Sequence, residues 1–242
     1  EDILGLPVIN IRYVPLSNTF NALIKRSMDI AGAIVAIIVS SPVMLVLCML
    51  IKLTSPGPLI YKQERVGLHN QTFRMYKFRS MEIQKESEEK KAWTVKNDPR
   101  VTGIGKFMRH TILDELPQLF NILKGEMSLV GPRPERPEII KEYCENMPEF
   151  AFRTRVKAGL TGFAQVYGKY NTTPYDKLKL DLFYIENYSF WMDLKLILMT
   201  VKTVLKKDAT EGVAEGQVTA QKDVADQDPE SVEEIVKEIV KK

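Results

Sequence analysis

The adjacent carboxylates Asp114-Glu115, in HTILDELPQLF, are the pair in this chain best suited to making and breaking bonds. On a helix, neighbours sit about 100° apart, so the two do not face each other as an acid–base couple would. They suit a division of labour instead, one attacking a phosphorus atom and the other holding a metal. The same dipeptide also suits a helix start: Asp is a favoured N-cap, Glu belongs in a first turn, and Pro117 is tolerated there. Both readings can hold at once, since a helix N-terminus is itself an anion site. Cations complete the constellation. Lys77 and Arg79 lie in YKFRSM, Arg109 sits five residues before Asp114, and Arg133 stands between two prolines in SLVGPRP. An Arg whose backbone is fixed by Gly131, Pro132 and Pro134 loses less entropy when it grips a phosphate bidentately. His69 and His110 lack His or Cys partners at metal spacing. No P-loop, GxGxxG, GxSxG or HExxH occurs.

These residues need elements to hold them. Leu59–Arg65 and Thr72–Arg79 read as two strands around a turn at Gly67–Asn70. Ile104–His110 and Asp114–Leu123 read as helices, the second stopped by Gly125. Pro132, Pro134 and Pro137 make the stretch carrying Arg133 an ordered loop without regular structure. Glu82–Lys91 is a charged, solvated stretch, and Asn97-Asp98-Pro99-Arg100 a turn.

Ile30–Ile51 is 22 residues without a charge, enough for a straight helix to cross a bilayer core of roughly 30 Å. Ser40-Ser41-Pro42 interrupts it midway, and an interior Pro removes a backbone hydrogen bond and clashes with the preceding turn. Lys25-Arg26 precede the run, and Lys52, Lys62 and Arg65 follow it. Basic flanks at both ends favour a re-entrant helix-break-helix over a crossing. A buried core helix is the alternative. Ser189–Leu205 is a second apolar segment, carrying Asp193, Lys195 and Lys202. Its Trp191 and lysines suit a helix in the membrane interface, and core packing fits the same pattern.

The chain has 242 residues, 45% of them hydrophobic and 27% charged, which excludes disordered, collagen-like and low-complexity classes. Cys48 and Cys144 are too few for a disulfide framework, so a reducing compartment is expected. The formal charge of +3 conceals an acidic tail: residues 206–242 hold six Lys and ten Asp or Glu. The remaining basic body suits phosphates, nucleic acid or an anionic membrane. In the tail, Ser231 and Glu234 form a capping box before an apolar face of Val232, Ile235, Val236, Ile239 and Val240. That short helix reads as a docking or dimer-contact element. The chain begins with Glu1, which suggests a fragment or a processed product, and residues 1–24 read as a linker.

KRSMDI, the apolar run with SSP, IYKQERVG, FRMYKFRSM, NDPRVTGIGKFMR, DELPQLFNILKGEMSLVGPRP and AGLTGFAQVYG follow one another in this order. Over residues 25–207 the chain closely resembles the monotopic polyprenyl-phosphate phosphoglycosyl transferases, or bacterial sugar transferases, as the catalytic portion of a larger member. It departs from that pattern at Phe163, where Trp is commoner, at Lys169, where Arg is commoner, and at the GLHN turn, where a glycine-rich turn is usual. The resemblance implies transfer of a sugar 1-phosphate from a nucleotide diphosphate sugar, such as a UDP-sugar, to undecaprenyl phosphate in surface glycan assembly. Asp114 matches the nucleophile that forms a covalent phosphosugar intermediate, and Glu115 the residue that holds Mg²⁺. Lys77, Arg109 and Arg133 match positions tied to activity or phosphate binding, and Arg79 joins them as a phosphate-binding candidate. Asp193 matches a further acidic position, and Asp181 is another candidate.

The implied fold is α+β and mostly helical, with a re-entrant membrane helix over 28–52, a small β-hairpin and interfacial amphipathic helices. Residues 208–242 form the acidic tail. The implied partners are nucleotide sugar, polyprenyl phosphate and the bacterial cytoplasmic membrane at its inner face, with no nucleic acid. Two other functions fit parts of the pattern: a membrane-anchored anion-binding scaffold without turnover, and a metal-dependent lipid phosphatase.

Overall fold

The computed structural model describes residues 2–3, 6–7, 14–82, 98–168 and 173–205. The acidic tail with its amphipathic helix, residues 83–91 of the charged stretch, and Lys169 lie outside the described residues. Near the N-terminus two short strands, β1 (Asp2–Ile3) and β2 (Leu6–Pro7), pair antiparallel.

The apolar run lies within one 36-residue helix, α1 (Thr19–Thr54), whose first turn is capped by Asn18 accepting from Phe20 N at 2.9 Å. It is longer than the expected 28–52, because capping and apolar residues begin earlier. Helical hydrogen bonding continues through Ser40, Ser41 and Pro42, so the proline read as a break lies inside one helix and opens no gap between two. Pro42 has no N–H to offer the carbonyl of Ile38, but the Ser41 hydroxyl donates to that oxygen at 2.8 Å, and Ser40 donates to Ala36 O at 2.6 Å. In hydrocarbon, such side-chain substitution is what lets a helix carry a proline.

A single stripe of α1 is buried: Lys25, Asp29 and Ala33 in its first half, Leu47 and Ile51 in its second. The other faces expose Val35, Ile38, Val39, Leu45, Val46, Met49 and Leu53. That apolar area is far more than a water-facing helix carries, so the core-helix alternative fails. By length and composition the helix suits a membrane.

The hairpin forms as read, with β3 (Ile60–Val66) antiparallel to β4 (Thr72–Phe78) and Tyr61 opposite Lys77. Its turn places His69 and Asn70 at φ 53° and 60°. That is left-handed backbone, and it explains why glycines are usual there. The helix read over Ile104–His110 is α2 (Gly103–His110), and the one read over Asp114–Leu123 divides into a 3₁₀ turn at Leu113–Glu115 and α3 (Gln118–Lys124). Gly125 ends α3 at φ 87°, the left-handed stop expected of it.

Short β5 (Ser128–Val130) and β6 (Gly159–Thr161) pair in parallel on either side of the proline loop. Between them run α4 (Pro137–Asn146) and a 3₁₀ stretch at Pro148–Arg155. Then follow α5 (Phe163–Tyr167), α6 (Pro174–Glu186) and α7 (Phe190–Leu205). The sequence reading assigned none of α4, α5, α6 or the parallel pair.

One core joins Phe150, Phe163, Leu178, Tyr184 and Leu196 beneath the parallel pair. Phe163 fills its place there against Tyr167 and Phe183. Two smaller cores seat α1: Ala33 packs with Met75, Leu119, Ile122 and Met127, while Leu47 and Ile51 pack with Phe78 and Met108. Both halves of α1 therefore lie against the same folded body, by way of β4. On α7 core packing holds for one face, and the other face is apolar and exposed. Asp193 and Leu196 are buried, whereas Trp191 is 74% and Leu198 63% exposed.

Candidate active site

Side chains alternate along β4, so Phe73, Met75 and Lys77 share a face. The first two pack in the Ala33–Leu119–Ile122 core, and the third extends that line to the carboxylate pair. Asn121, fully buried, locks strand to helix: its Oδ1 accepts from Tyr76 N at 3.0 Å and its Nδ2 donates to Arg74 O at 2.8 Å. Lys77 Nζ then reaches Glu115 Oε1 at 2.7 Å. From the other side Arg133 Nη2 donates to the same oxygen, also at 2.7 Å.

Glu115 is thus an anion between two cations. Burial opposes its ionisation, but Arg133 and Lys77 outweigh that and hold its carboxyl down to about 2. Its neighbour is treated in the opposite way. Asp114 is buried, yet no side chain among the described residues donates a hydrogen bond to it. Burial pushes its carboxyl above the ordinary carboxylate range, against the pull of Lys77, Arg109 and Arg133. Two adjacent carboxylates with opposed environments are the pattern of divided chemical roles. In a 3₁₀ turn they diverge by about 120°, as their different partners require.

The N-cap alternative for Asp114 does not hold. Pro117 occupies the cap position of α3, and no side chain caps the Leu113–Glu115 turn. Ile112, just before the pair, sits at φ 57°. For a β-branched residue this is strained backbone, held beside the reactive groups by its surroundings. Three residues after Glu115, Gln118 is buried and its Nε2 finds no acceptor among the described residues.

The loop bearing Arg133 is built on glycines. A Cβ at Gly131 would lie 2.3 Å from Lys157 O, one at Gly159 2.1 Å from Gly131 N, and one at Gly162 2.2 Å from Gly131 O. Only bare backbone permits this contact between GPRP and GLTG. Arg133 remains 40% exposed at its side chain, and its guanidinium is kept strongly cationic by Glu115. Arg109, in the last turn of α2, donates Nε to Ser80 Oγ at 3.0 Å. Its charge acts on Asp114.

The structure therefore gathers Asp114, Glu115, Lys77, Arg109 and Arg133. It does not bring the other three candidates to them. Arg79, taken for a phosphate contact, is corrected to a brace: its guanidinium is buried and donates to Ser55 O, Pro56 O and Ser55 Oγ at the end of α1. Asp181 is buried against Arg153 at 2.6 Å. Asp193 is fully buried against Lys25 Nζ at 2.6 Å and Tyr184 OH at 2.8 Å. It ties α7 to α1.

Sequence reasoning missed Ser80, which holds Arg109, and Asp29, which anchors α1 by accepting from Ser128 Oγ and Leu129 N, both at 2.9 Å. Both lie inside motifs already singled out, YKFRSM and KRSMDI, and their polar character beside apolar neighbours was the available signal.

No group of three metal-ligating side chains occurs among the described residues. Mg²⁺ commonly takes one or two carboxylates together with substrate phosphates and water. Glu115 offers one such carboxylate, so the residues fit an ion arriving with a diphosphate and not a preformed protein cage.

Residues 20–207 match the family described as bacterial sugar transferase. The UDP-N-acetylgalactosamine-undecaprenyl-phosphate N-acetylgalactosaminephosphotransferase of Aeromonas hydrophila is 43% identical over 78% of this chain and 45% of its own length. The UDP-glucose:undecaprenyl-phosphate glucose-1-phosphate transferase of Klebsiella pneumoniae is 41% identical over 86% and 46%. The undecaprenyl-phosphate galactose phosphotransferase of Salmonella typhimurium is 41% identical over 80% and 43%. The chain spans just under half the length of these curated relatives.

Proposed function

The chain belongs to the bacterial sugar transferase family, and on that premise we propose that it transfers a sugar 1-phosphate from a UDP-sugar to undecaprenyl phosphate through a phosphosugar carried on Asp114. The observation that carries this reading is the asymmetric pair: Glu115 neutralised by Lys77 and Arg133, and Asp114 buried with no hydrogen-bond donor among the described residues.

In the first step an Asp114 carboxylate oxygen attacks the phosphorus bearing the sugar. A P–O bond to Asp114 forms, the P–O bond to the nucleoside monophosphate breaks, and the electron pair leaves with UMP. In the second, an oxygen of the lipid phosphate attacks the same phosphorus and the Asp114 carboxylate departs unchanged, the ping-pong pattern of nucleophilic catalysis. Asp114 is reactive because burial destabilises its charge and no hydrogen bond from the described residues compensates. Lys77, Arg109 and Arg133 present positive charge where diphosphate charge accumulates. Glu115 would hold Mg²⁺, which when bound would neutralise and orient the diphosphate.

A lipid acceptor sets where this takes place. Both halves of α1 pack on one body, which supports a helix entering and leaving the membrane on the cytoplasmic face. The exposed Trp191–Leu198 face of α7, with Lys195 and Lys202 beside it, supports a second, interfacial contact.

The test is nucleotide release by the purified chain. Without lipid, a burst near one equivalent of UMP with labelled phosphosugar retained on the protein is expected; continued release requires undecaprenyl phosphate. Asp114→Asn should abolish both. Lipid-dependent turnover with no trappable phosphosugar would overturn the covalent scheme, and lipid-independent turnover would mark a hydrolase.

A further inference from the structure

Arg133 does not hold its own position. Its carbonyl oxygen accepts from Arg153 Nη2 at 3.1 Å, and the next carbonyl, Pro134 O, accepts from Arg65 Nη1 at 3.0 Å. Each clamping guanidinium is fixed in turn by a carboxylate. Arg153, 4% exposed, donates Nε to Asp181 at 2.6 Å and lies 4.6 Å over the Phe150 ring. Arg65 sits 3.8 Å from Glu135, which also pairs with Lys177. Consecutive carbonyls of one loop, gripped by two anchored arginines, amount to more than core filling. An apolar core would bury Phe150 and Leu178 without a charged pair, and a buried ion pair is by itself poor evidence of stabilisation.

We propose that Arg153, with Asp181 as its anchor, is a positioning residue that sets the Arg133 guanidinium against Glu115 and the substrate phosphates. This rests on the reaction proposed above. Asp181 thereby acquires a role other than direct phosphate contact. The geometry explains the arrangement: two prolines stiffen the backbone around Arg133 but leave its height over the carboxylates unset. The Arg153 bond supplies that coordinate, and misplacement of a phosphate-binding group by about 1 Å costs on the order of a hundredfold in rate.

The test is a double-mutant cycle in single-turnover UMP release. Arg153→Lys keeps a cation beside Asp181 but loses the planar fork that reaches both Asp181 and the Arg133 carbonyl. A ten- to hundredfold fall in kcat is expected, with KM for the UDP-sugar changed by less than threefold and no further loss from Arg153→Lys in an Arg133→Ala background. Equal losses in both backgrounds would overturn the assignment. A readout without turnover accompanies it. The Arg133 guanidinium protons bonded to Glu115 should exchange slowly with solvent in the wild type and lose that protection in Arg153→Lys, read by side-chain NMR. Unchanged protection would overturn the assignment. If Arg153→Lys does not fold, Asp181→Asn carries the same tests. A wild-type chain that released no UMP would refute the reaction, while the exchange readout would still decide the positioning role.

Discussion

Replacing Glu115 by Gln removes one charge, changes the shape little, and leaves Lys77 and Arg133 converging on a neutral amide. The size of the effect follows from the site. Holding the carboxyl at about 2, where an ordinary Glu titrates at 4.5, corresponds to about 3 kcal/mol of stability at neutral pH. Glu115 is only 9% exposed at its side chain, but Arg133 is 40% exposed. Solvent will take up part of the freed cation's charge, which reduces the expected loss to about 2 kcal/mol. For a domain of this size that lowers Tm by roughly 4–8 °C.

The assay is thermal unfolding of wild type and Glu115→Gln in one detergent across a pH series. Because the folded carboxyl titrates below the unfolded one, its contribution is complete above about 4.5 and is lost as pH falls towards 2. The two curves should therefore differ fully at pH 7 and converge in acid. Adding Lys77→Met to Glu115→Gln should recover part of the loss by removing one of the two unpaired cations. A variant within 1 °C of wild type at pH 7, or a gap that persists unchanged to pH 2, would refute the electrostatic account of this pair.

Burial raises the Asp114 carboxyl, and protonation silences a nucleophile. Single-turnover UMP release should consequently fall on acidification at a pH above the ordinary carboxylate range, and a rate flat down to pH 4 would contradict this. A Cβ at Gly105 would lie 1.9 Å from Ser80 O; Gly105→Ala should displace Ser80, lower Tm by several degrees, and impair turnover through Arg109. In α1, Ser41→Ala leaves Ile38 O without its donor and should cost about 1 kcal/mol, read in detergent unfolding. Ser41→Ala with Pro42→Ala restores a backbone N–H and should be at least as stable as wild type; a Ser41→Ala variant as stable as wild type would show that Ser41 has no part in repairing the helix.

Much of the site was legible in the sequence because its parts are local. Asp114-Glu115 are neighbours, Lys77 and Arg79 lie two apart on one strand, and the prolines around Arg133 announce a fixed loop. Length and absence of charge were enough to mark the apolar helix, since a backbone in hydrocarbon must satisfy itself. Sequence alone thus determined which reactive groups were available, which segment is apolar enough for lipid, and that a hairpin would carry Lys77.

Tertiary structure decided which charges meet. Lys77, Arg79 and Arg133 look alike along the chain, but the cross-chain contacts of β4 and the parallel pair send the first and third to Glu115 and the second to the end of α1. Asp181 and Asp193 are as acidic as Asp114 on paper. Each meets its own buried cation, Arg153 or Lys25, and of the three only Asp114 is buried with no hydrogen-bonded partner among the described residues. Pro42 opens no gap in α1 for a related reason: propensity registers the missing N–H, whereas the folded helix places the Ser41 hydroxyl on the carbonyl it leaves behind. Charge and propensity belong to residues, but neutralisation depends on distances that only the assembled chain sets.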